Sequence, residues 1–159
     1  MTATRTPVNP WPWSLDYGFN QAELVEGASR VLVLSGQGSA AADGTLLHAG
    51  DFAAQVSLSL DNIETVLKEA GMTLGNIVRI NVFTTDVDAM MGTWGDLAKR
   101  FAAAGVRPTS TLVGVTRLAF PEMMVEIEAT AVDLHGVKVT PRAPDGYTGE
   151  RADDAQPGA

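Results

Sequence analysis

The fold of this chain is decided by residues 52–84, FAAQVSLSLDNIETVLKEAGMTLGNIVRINVFT. Apolar residues from Phe52 to Ala70 recur at intervals of 4, 4, 3, 4 and 3 positions, which predicts an amphipathic helix closed by Gly71. Residues 77–84 then alternate between apolar and polar side chains, as in a half-buried β-strand. The change from one periodicity to the other indicates a chain that mixes helices and strands.

Further elements are predicted on both sides of this stretch. Residues 31–34 form a short apolar run before a Ser-Gly-Gln-Gly turn at 35–38, which indicates a strand. Residues 87–101 have apolar side chains at helical spacing, and Gly92 and Gly95 weaken that helix by roughly 1 kcal/mol each relative to Ala. The last two predicted strands are residues 109–115 and 123–132.

The order of these elements predicts an α+β fold: a two-layer sandwich with the helices on one face of the sheet. Along the last strand, Glu126, Glu128 and Thr130 alternate with apolar residues and face away from the helices. We expect this polar surface to be a solvated site or a subunit contact.

The two ends of the chain differ from its middle. Residues 1–18 are interpreted as an N-terminal extension, in which Trp11 and Trp13 are expected to pack against the protein. Residues 19–135 are interpreted as the domain. Residues 136–159 are rich in Pro, Gly, Ala and Asp, a composition typical of a disordered tail.

Composition and charge exclude several classes of function. The net charge is −8, residues 1–133 alone carry −7, and no basic cluster is present, so nucleic-acid binding is not expected. Cysteine is absent, which excludes disulfides and thiolate chemistry. The sequence has neither a secretory pattern nor an apolar run of ~20 residues, so we expect a cytoplasmic protein without a membrane span.

Five short motifs occur in a fixed order along the chain. They are Ser35-Gly36-Gln37, Leu60-Asp61-Asn62-Ile63 leading to Glu69-Ala70-Gly71-Met72, Val82-Phe83-Thr84-Thr85-Asp86, Arg107-Pro108 and Val125-Glu126-Ile127-Glu128-Ala129. In this order they resemble the RidA/YjgF/Rid superfamily, whose members are also called endoribonuclease L-PSP, over roughly residues 19–133.

The resemblance implies a chorismate-mutase-like two-layer sandwich, assembled as a homotrimer around an inner β-barrel. It also implies a pocket at each subunit interface for a small imine, enamine or 2-oxo acid-like molecule. The best-known members hydrolyse reactive enamine/imine intermediates such as 2-aminoacrylate, without a metal or organic cofactor. If this chain is an enzyme, the resemblance implies that it is an enamine/imine deaminase that uses no cofactor.

Carried over by position, Glu126 matches a glutamate that places water near the imine carbon, and Ser35 and Gly36 match a turn that holds the ligand. Ser110 stands where the deaminases have an arginine that clamps the substrate carboxylate. A hydroxyl cannot supply the charge of a guanidinium. Arg107 is close in sequence, but the strand geometry makes it an unpromising substitute.

Three further positions are candidates for ligand contact. Leu112 stands at a position where the family often has Cys, and its backbone amide would help to orient the ligand. Trp94 replaces a frequent Asn, although its helical spacing favours packing in the core. Phe19, with Tyr17 beside it, precedes the first strand where relatives have an aromatic residue over the pocket.

The residues leave alternatives open. Glu126 on a strand is also explained by solvent exposure or by pairing with Arg79, and Ser110 by an ordinary strand serine. His48 and His135 are isolated, so no metal site is expected. The leading hypothesis is an enamine/imine deaminase with little 2-aminoacrylate activity. The alternatives are a non-catalytic metabolite-binding or regulatory trimer and, least favoured, an endoribonuclease.

Overall fold

The structure is a computed structural model that describes residues 3–133. Six strands and three α-helices follow one another in these residues. In chain order they are β1 (Thr4–Val8), α1 (Trp13–Asp16), β2 (Ala22–Glu26), β3 (Val31–Gln37), α2 (Phe52–Glu69), β4 (Ile77–Thr84), α3 (Val87–Ala103), β5 (Thr109–Gly114) and β6 (Val125–Val132), with a 3-10 turn at Leu74–Asn76. The tail predicted at residues 136–159 lies outside the described range.

Strands β3 to β6 form a mixed sheet in the order β3-β6-β4-β5. The pairs β3–β6 and β4–β6 are antiparallel, and β4–β5 is parallel because the helix α3 connects them. The predicted helices and four predicted strands are all present. The α+β sandwich expected from the sequence is therefore confirmed.

Local sequence signals set the ends of both long helices. Asp51 caps α2 by accepting a hydrogen bond from the backbone N–H of Ala54 (3.0 Å), and Asp86 caps α3 through Ala89 (2.9 Å). After α2, Gly71 has φ 71°, a left-handed conformation that glycine adopts without a Cβ penalty. The helices end where the sequence predicts.

The hydrophobic core lies between the sheet and the helices α2 and α3. Each large aliphatic side chain buried there stabilises the fold by roughly 1.5–3 kcal/mol relative to an exposed position. Its deeply buried members include Leu60, Ile63 and Leu67 of α2, Met90, Leu97 and Phe101 of α3, and Ile80, Val82, Val125 and Ile127 of the sheet.

The other face of the sheet, here called the open face, is not covered by either long helix. On β6, Val125 and Ile127 are fully buried on the helix side, so the side chains that alternate with them point to the open face. These are Glu126, Glu128 and Thr130, as the alternation predicts. The open face thus has mixed polar character along its central strand.

An antiparallel hairpin of β1 and β2 was not expected from the sequence. It is fastened by a buried ion pair between Arg5 and Glu23, whose side chains are 4% and 2% exposed. Arg5 also donates to the backbone carbonyl of Gly75 (3.2 Å), which ties the hairpin to the turn after α2. Residues 4–8 therefore pack on the body of the protein.

Trp11 and Trp13 are less buried than expected, at 60% and 55% exposed, although Trp13 still packs against the rings of Tyr17 and Phe19. The helix α1 has only four residues and buries only Ser14, so neighbouring side chains remain at the surface. Within residues 3–133, no helix is long and apolar enough to cross a membrane.

Candidate functional site

The Glu126 carboxyl group lies directly over the backbone of Gly36. A Cβ atom placed on Gly36 would come within 2.6 Å of both Cγ and Cδ of Glu126, which is closer than real atoms approach. Only a residue without a side chain leaves room for the glutamate in this position. The structure therefore brings together Glu126 and Gly36, which the resemblance assigned to one site, with Ser35 adjacent in sequence. The predicted turn at residues 35–38 is wrong for residues 35–37, which lie in strand β3.

An irregularity in the sheet produces this arrangement. The pairing of β3 with β6 shifts between Leu34 and Gln37, so the backbone at residues 35–36 departs from the regular ladder. Such bulges bend a strand and redirect its side chains. Here the bulge lies beside Glu126 and places a polar, side-chain-poor stretch next to its carboxylate.

The open face also contains a groove of about 300 Å³, whose lining includes Ser35 and Glu128 but not Glu126. Arg79 donates to the hydroxyl of Thr111 across β4 and β5 (2.9 Å), and Asn81 donates to the carboxylate of Glu128 (3.2 Å). In register, Glu126 lies opposite Phe83. The interpretation of Glu126 as a cross-strand partner of Arg79 is therefore wrong.

A second group of candidates forms a cavity of about 310 Å³, here called the aromatic pocket. Trp13 makes edge-to-face contacts with Tyr17 and Phe19, at ring-centroid distances of 6.4 and 5.8 Å. The full lining is Trp13, Tyr17, Phe19, Met91, Trp94, Ser110 and Leu112. Phe19, Trp94, Ser110 and Leu112 were expected at the site; Trp94 also packs against the core, as its spacing indicated.

Two lining residues, Trp13 and Met91, were missed by the sequence reasoning. Met91 precedes Trp94 by one helical turn on α3, and this i, i+3 spacing was the signal that would have found it. Trp13 was recognised as needing contacts, but nothing in its local sequence identified α3 and β5 as its neighbours.

The buried hydroxyl of Ser110 has no hydrogen-bond partner among residues 3–133. No residue lining the aromatic pocket in the described part of the chain carries a charge. Arg107 supplies no charge to this lining, because it is exposed and lines a different cavity beside Arg5 and Glu23. The pocket is thus largely apolar, and the buried hydroxyl of Ser110 is available in it.

The two groups of candidates lie on opposite sides of the sheet. Ser110 and Leu112 pair in register with Ile80 and Val82, both buried on the helix side. Glu126 pairs with Phe83 on the open face. One chain therefore holds two separate parts: the Glu126 carboxylate over Gly36 of β3, and the aromatic pocket.

No group of three or more His, Asp or Glu side chains within residues 3–133 is arranged to hold a metal ion. Asp86, one of the acids near α3, instead caps that helix.

Comparison with known proteins identifies the family to which the chain belongs. Residues 18–133 match the family model described as Endoribonuclease L-PSP. The chain belongs to this family. As the resemblance indicated, relatives include proteins of the Rid family: the structure of YyfB from Yersinia pestis is 30% identical and superimposes with a TM-score of 0.73, over 80% of this chain and 98% of YyfB.

Sequence matches to relatives whose names state a reaction cover a smaller part of this chain. The 2-iminobutanoate/2-iminopropanoate deaminase of Escherichia coli K12 is 34% identical over 83 residues, 52% of this chain and 64% of that enzyme. TdcF of E. coli has been solved with bound serine; that structure is 30% identical, with a TM-score of 0.58 over 72% of this chain and 87% of TdcF. The sequence match to TdcF of strain K12 spans 60% of its length.

Proposed function

We propose that this Rid-family protein is a cytoplasmic homotrimer that hydrolyses an enamine or imine at pockets between subunits. The observation that carries the proposal is the placement of the Glu126 carboxylate over Gly36 on the open face of the sheet. Each site would combine Glu126, Ser35 and Gly36 of one protomer with the aromatic pocket of a neighbour. Relatives named for imine deamination support the reaction class.

The separation of the two groups of residues supports a site shared by two subunits. Glu126 and Ser110 point away from each other within one chain. A ligand can therefore contact both groups only when a second copy brings its aromatic pocket to the open face of the first. The exposed Val31 and Val33 on the edge strand β3, 62% and 76% exposed, provide apolar surface for such a contact.

In the proposed reaction, Glu126 orients a water molecule and accepts one of its protons as the oxygen attacks the C=N carbon. The proton held by Glu126 passes to the former imine nitrogen, which gives a neutral carbinolamine. Glu126 then transfers the hydroxyl proton of the carbinolamine to the same nitrogen as the C–N bond breaks and the C=O bond forms, so that ammonia and a 2-oxo acid leave. An enamine substrate first tautomerises to the imine by a proton shift from nitrogen to carbon. Backbone amides at Gly36 and Leu112 would hold the polar ends of the substrate.

Serine at position 110 limits which substrate is favoured. A guanidinium would bind a substrate carboxylate by paired, charge-assisted hydrogen bonds, whereas a hydroxyl offers a single neutral one. We therefore expect slow turnover of the small anionic substrate 2-aminoacrylate. No metal or organic cofactor enters the proposed reaction.

The alternative is a trimer that binds metabolites without catalysis, and the uncharged lining of the aromatic pocket is the observation that favours it. An endoribonuclease activity is disfavoured, because residues 1–133 carry a net charge of −7 and would repel a polyanion.

The test is ammonia release from 2-aminoacrylate generated in situ, measured above the spontaneous rate. We expect slow release by the wild type, loss with Glu126→Gln, and a gain with Ser110→Arg. Glu128→Gln is the matched control, because this second carboxylate on the same strand face is hydrogen-bonded to Asn81 and should be dispensable. Sedimentation should give three protomers.

The competing outcomes are distinct. If neither the wild type nor Ser110→Arg releases ammonia, although both remain folded trimers, the deaminase is refuted in favour of the non-catalytic binding protein. Equal loss in Glu126→Gln and Glu128→Gln would remove the specific role given to Glu126.

A further inference from the structure

The aromatic pocket has a composition that suits a ring rather than an ion. Six of its seven lining side chains are aromatic or aliphatic, and the seventh is Ser110. Edge-to-face and offset contacts between rings are favourable, and they are available here from Trp13, Phe19 and Trp94. A carboxylate or phosphate would find no opposite charge among the described residues of this lining.

The walls of the pocket are held in place without a ligand. The indole N–H of Trp94 donates to the backbone carbonyl of Tyr17 at 2.8 Å. Gly18, at φ 79°, lies so close to α3 that an added Cβ would be 2.8 Å from Cβ of Ala98. The backbone N–H of Asn20 donates to the carbonyl of Arg107 at 3.2 Å. Preorganised walls lower the entropic cost of binding.

The size of the pocket is suited to one substituted ring. An apolar cavity of ~150 Å³ in another protein is large enough to take up benzene, and this pocket has about twice that volume. The space beyond the ring can accommodate the chain that links it to a reacting carbon.

The unpaired hydroxyl of Ser110 adds a polar contact. A buried hydroxyl without a partner is unfavourable, so a ligand that supplies a hydrogen-bonding atom there is favoured over a purely apolar one. Ser110 therefore selects for a ring compound with a polar atom beside the ring.

Building on the function proposed above, we infer that the substrate is an imine or enamine that carries an aromatic ring, as formed from an aromatic α-amino acid, and that the ring occupies the aromatic pocket. The pocket then determines specificity, whereas Glu126 of the neighbouring protomer acts on the C=N bond. This substrate class differs from the short aliphatic imino acids in the name of the E. coli relative.

The binding test uses stable 2-oxo acids in place of the imines, so that it does not depend on catalysis. Calorimetric titration of the full-length protein with phenylpyruvate and with pyruvate should show at least tenfold tighter binding of phenylpyruvate. Trp13→Ala should abolish this preference. Trp11→Ala is the matched control: Trp11 lies two residues away, is similarly exposed and does not line the pocket, so the preference should remain.

Equal affinities in the wild type, no binding of either acid, or a preference that survives Trp13→Ala would each overturn the inference. If Trp13→Ala instead dissociates the oligomer while neither acid binds, the pocket is a subunit contact and the inference is wrong. Sedimentation of each variant separates these cases.

The inference and the proposed function fail in different ways. Glu126→Gln should keep the phenylpyruvate preference while losing ammonia release. Selective phenylpyruvate binding by a protein that hydrolyses no imine would retain the ligand class and refute the deaminase. Hydrolysis of 2-aminoacrylate without any preference for phenylpyruvate would support the deaminase and refute the aromatic substrate class.

Discussion

A double-mutant cycle tests whether Glu126 lies over Gly36. In Gly36→Ala, the new Cβ would be 2.6 Å from Cγ and Cδ of Glu126, so the glutamate has to move. Forcing extra volume into a packed site costs about 1–3 kcal/mol, and since this side chain is flexible we expect a loss near the lower end. The backbone itself is not strained, because Gly36 is not among the residues with positive φ.

The same substitution should be harmless when the glutamate is truncated. Glu126→Ala removes Cγ, Cδ and the carboxylate oxygens, which leaves space for the methyl group that Gly36→Ala introduces. Ala in a strand is then favoured over Gly by roughly 0.5–1 kcal/mol through backbone entropy. The difference between the two backgrounds predicts a coupling free energy of about 2 kcal/mol, within the range for residues in contact.

Urea unfolding at one fixed protomer concentration measures the coupling, because the stability of an oligomer depends on concentration. Gly38→Ala is the control: its Cβ would meet Cε of Met123 at 2.5 Å, so its cost should be the same with or without Glu126. Additive effects of Gly36→Ala and Glu126→Ala would refute the placement of Glu126. If the proposed function holds, Gly36→Ala also loses ammonia release.

Three further predictions concern stability. Arg5→Met should cost about 3–5 kcal/mol in urea unfolding by leaving Glu23 buried without its partner, and Arg5→Met with Glu23→Leu should recover most of the loss. The backbone N–H of Thr45 donates to the carboxylate of Asp43 (2.9 Å), and this hydrogen bond lowers the pKa of that carboxyl. The resulting stabilisation is present above the ordinary carboxyl pKa and is lost as the pH falls through the lowered value. An NMR titration of Asp43 should therefore give a low midpoint, and Thr45→Pro, which removes the donor, should raise it. Gly92→Ala, with nothing within 4 Å, should add roughly 1 kcal/mol, seen as a higher urea midpoint.

The central fold was predictable because its signals are local. The helix α2 combines an aspartate cap, a stripe of apolar residues and a closing glycine within a short stretch of sequence. The alternation along β6 likewise identified which side chains leave the core. Each of these signals depends only on neighbours along the chain, so a single sequence suffices to detect them.

The hairpin β1–β2 escaped prediction because its stabilising contacts are not local. Its inward residues include Arg5 and Glu23, so the apolar alternation that marks a strand is missing. Their charges are buried because they pair with each other across 18 positions in the sequence. Taken singly, an arginine and a glutamate are each expected to be exposed to solvent, so neither residue by itself indicates a buried strand.

The site was predicted in its residues but not in its arrangement. The resemblance placed Glu126 and Ser110 together, and nothing in either strand alone shows that they occupy opposite faces. That follows from the register: β5 joins β4 in parallel with Ser110 opposite Ile80, whereas β6 sets Glu126 opposite Phe83. Register between distant strands is fixed by tertiary packing.

The charges on the open face indicate where binding energy has to come from. The cation on the same face as Glu126 in the β4–β6 pair is Arg79, and it lies four residues along β4 from Phe83, the register partner of Glu126. At ~3.3 Å per residue this is roughly 13 Å, too far to hold the carboxylate of a small imino acid whose C=N carbon is at Glu126. Burial of a phenyl ring in the aromatic pocket, by contrast, contributes about 2 kcal/mol, or roughly 30-fold in affinity. With serine rather than a charged side chain at position 110, apolar burial becomes the larger contribution, and a substrate that carries a ring gains it.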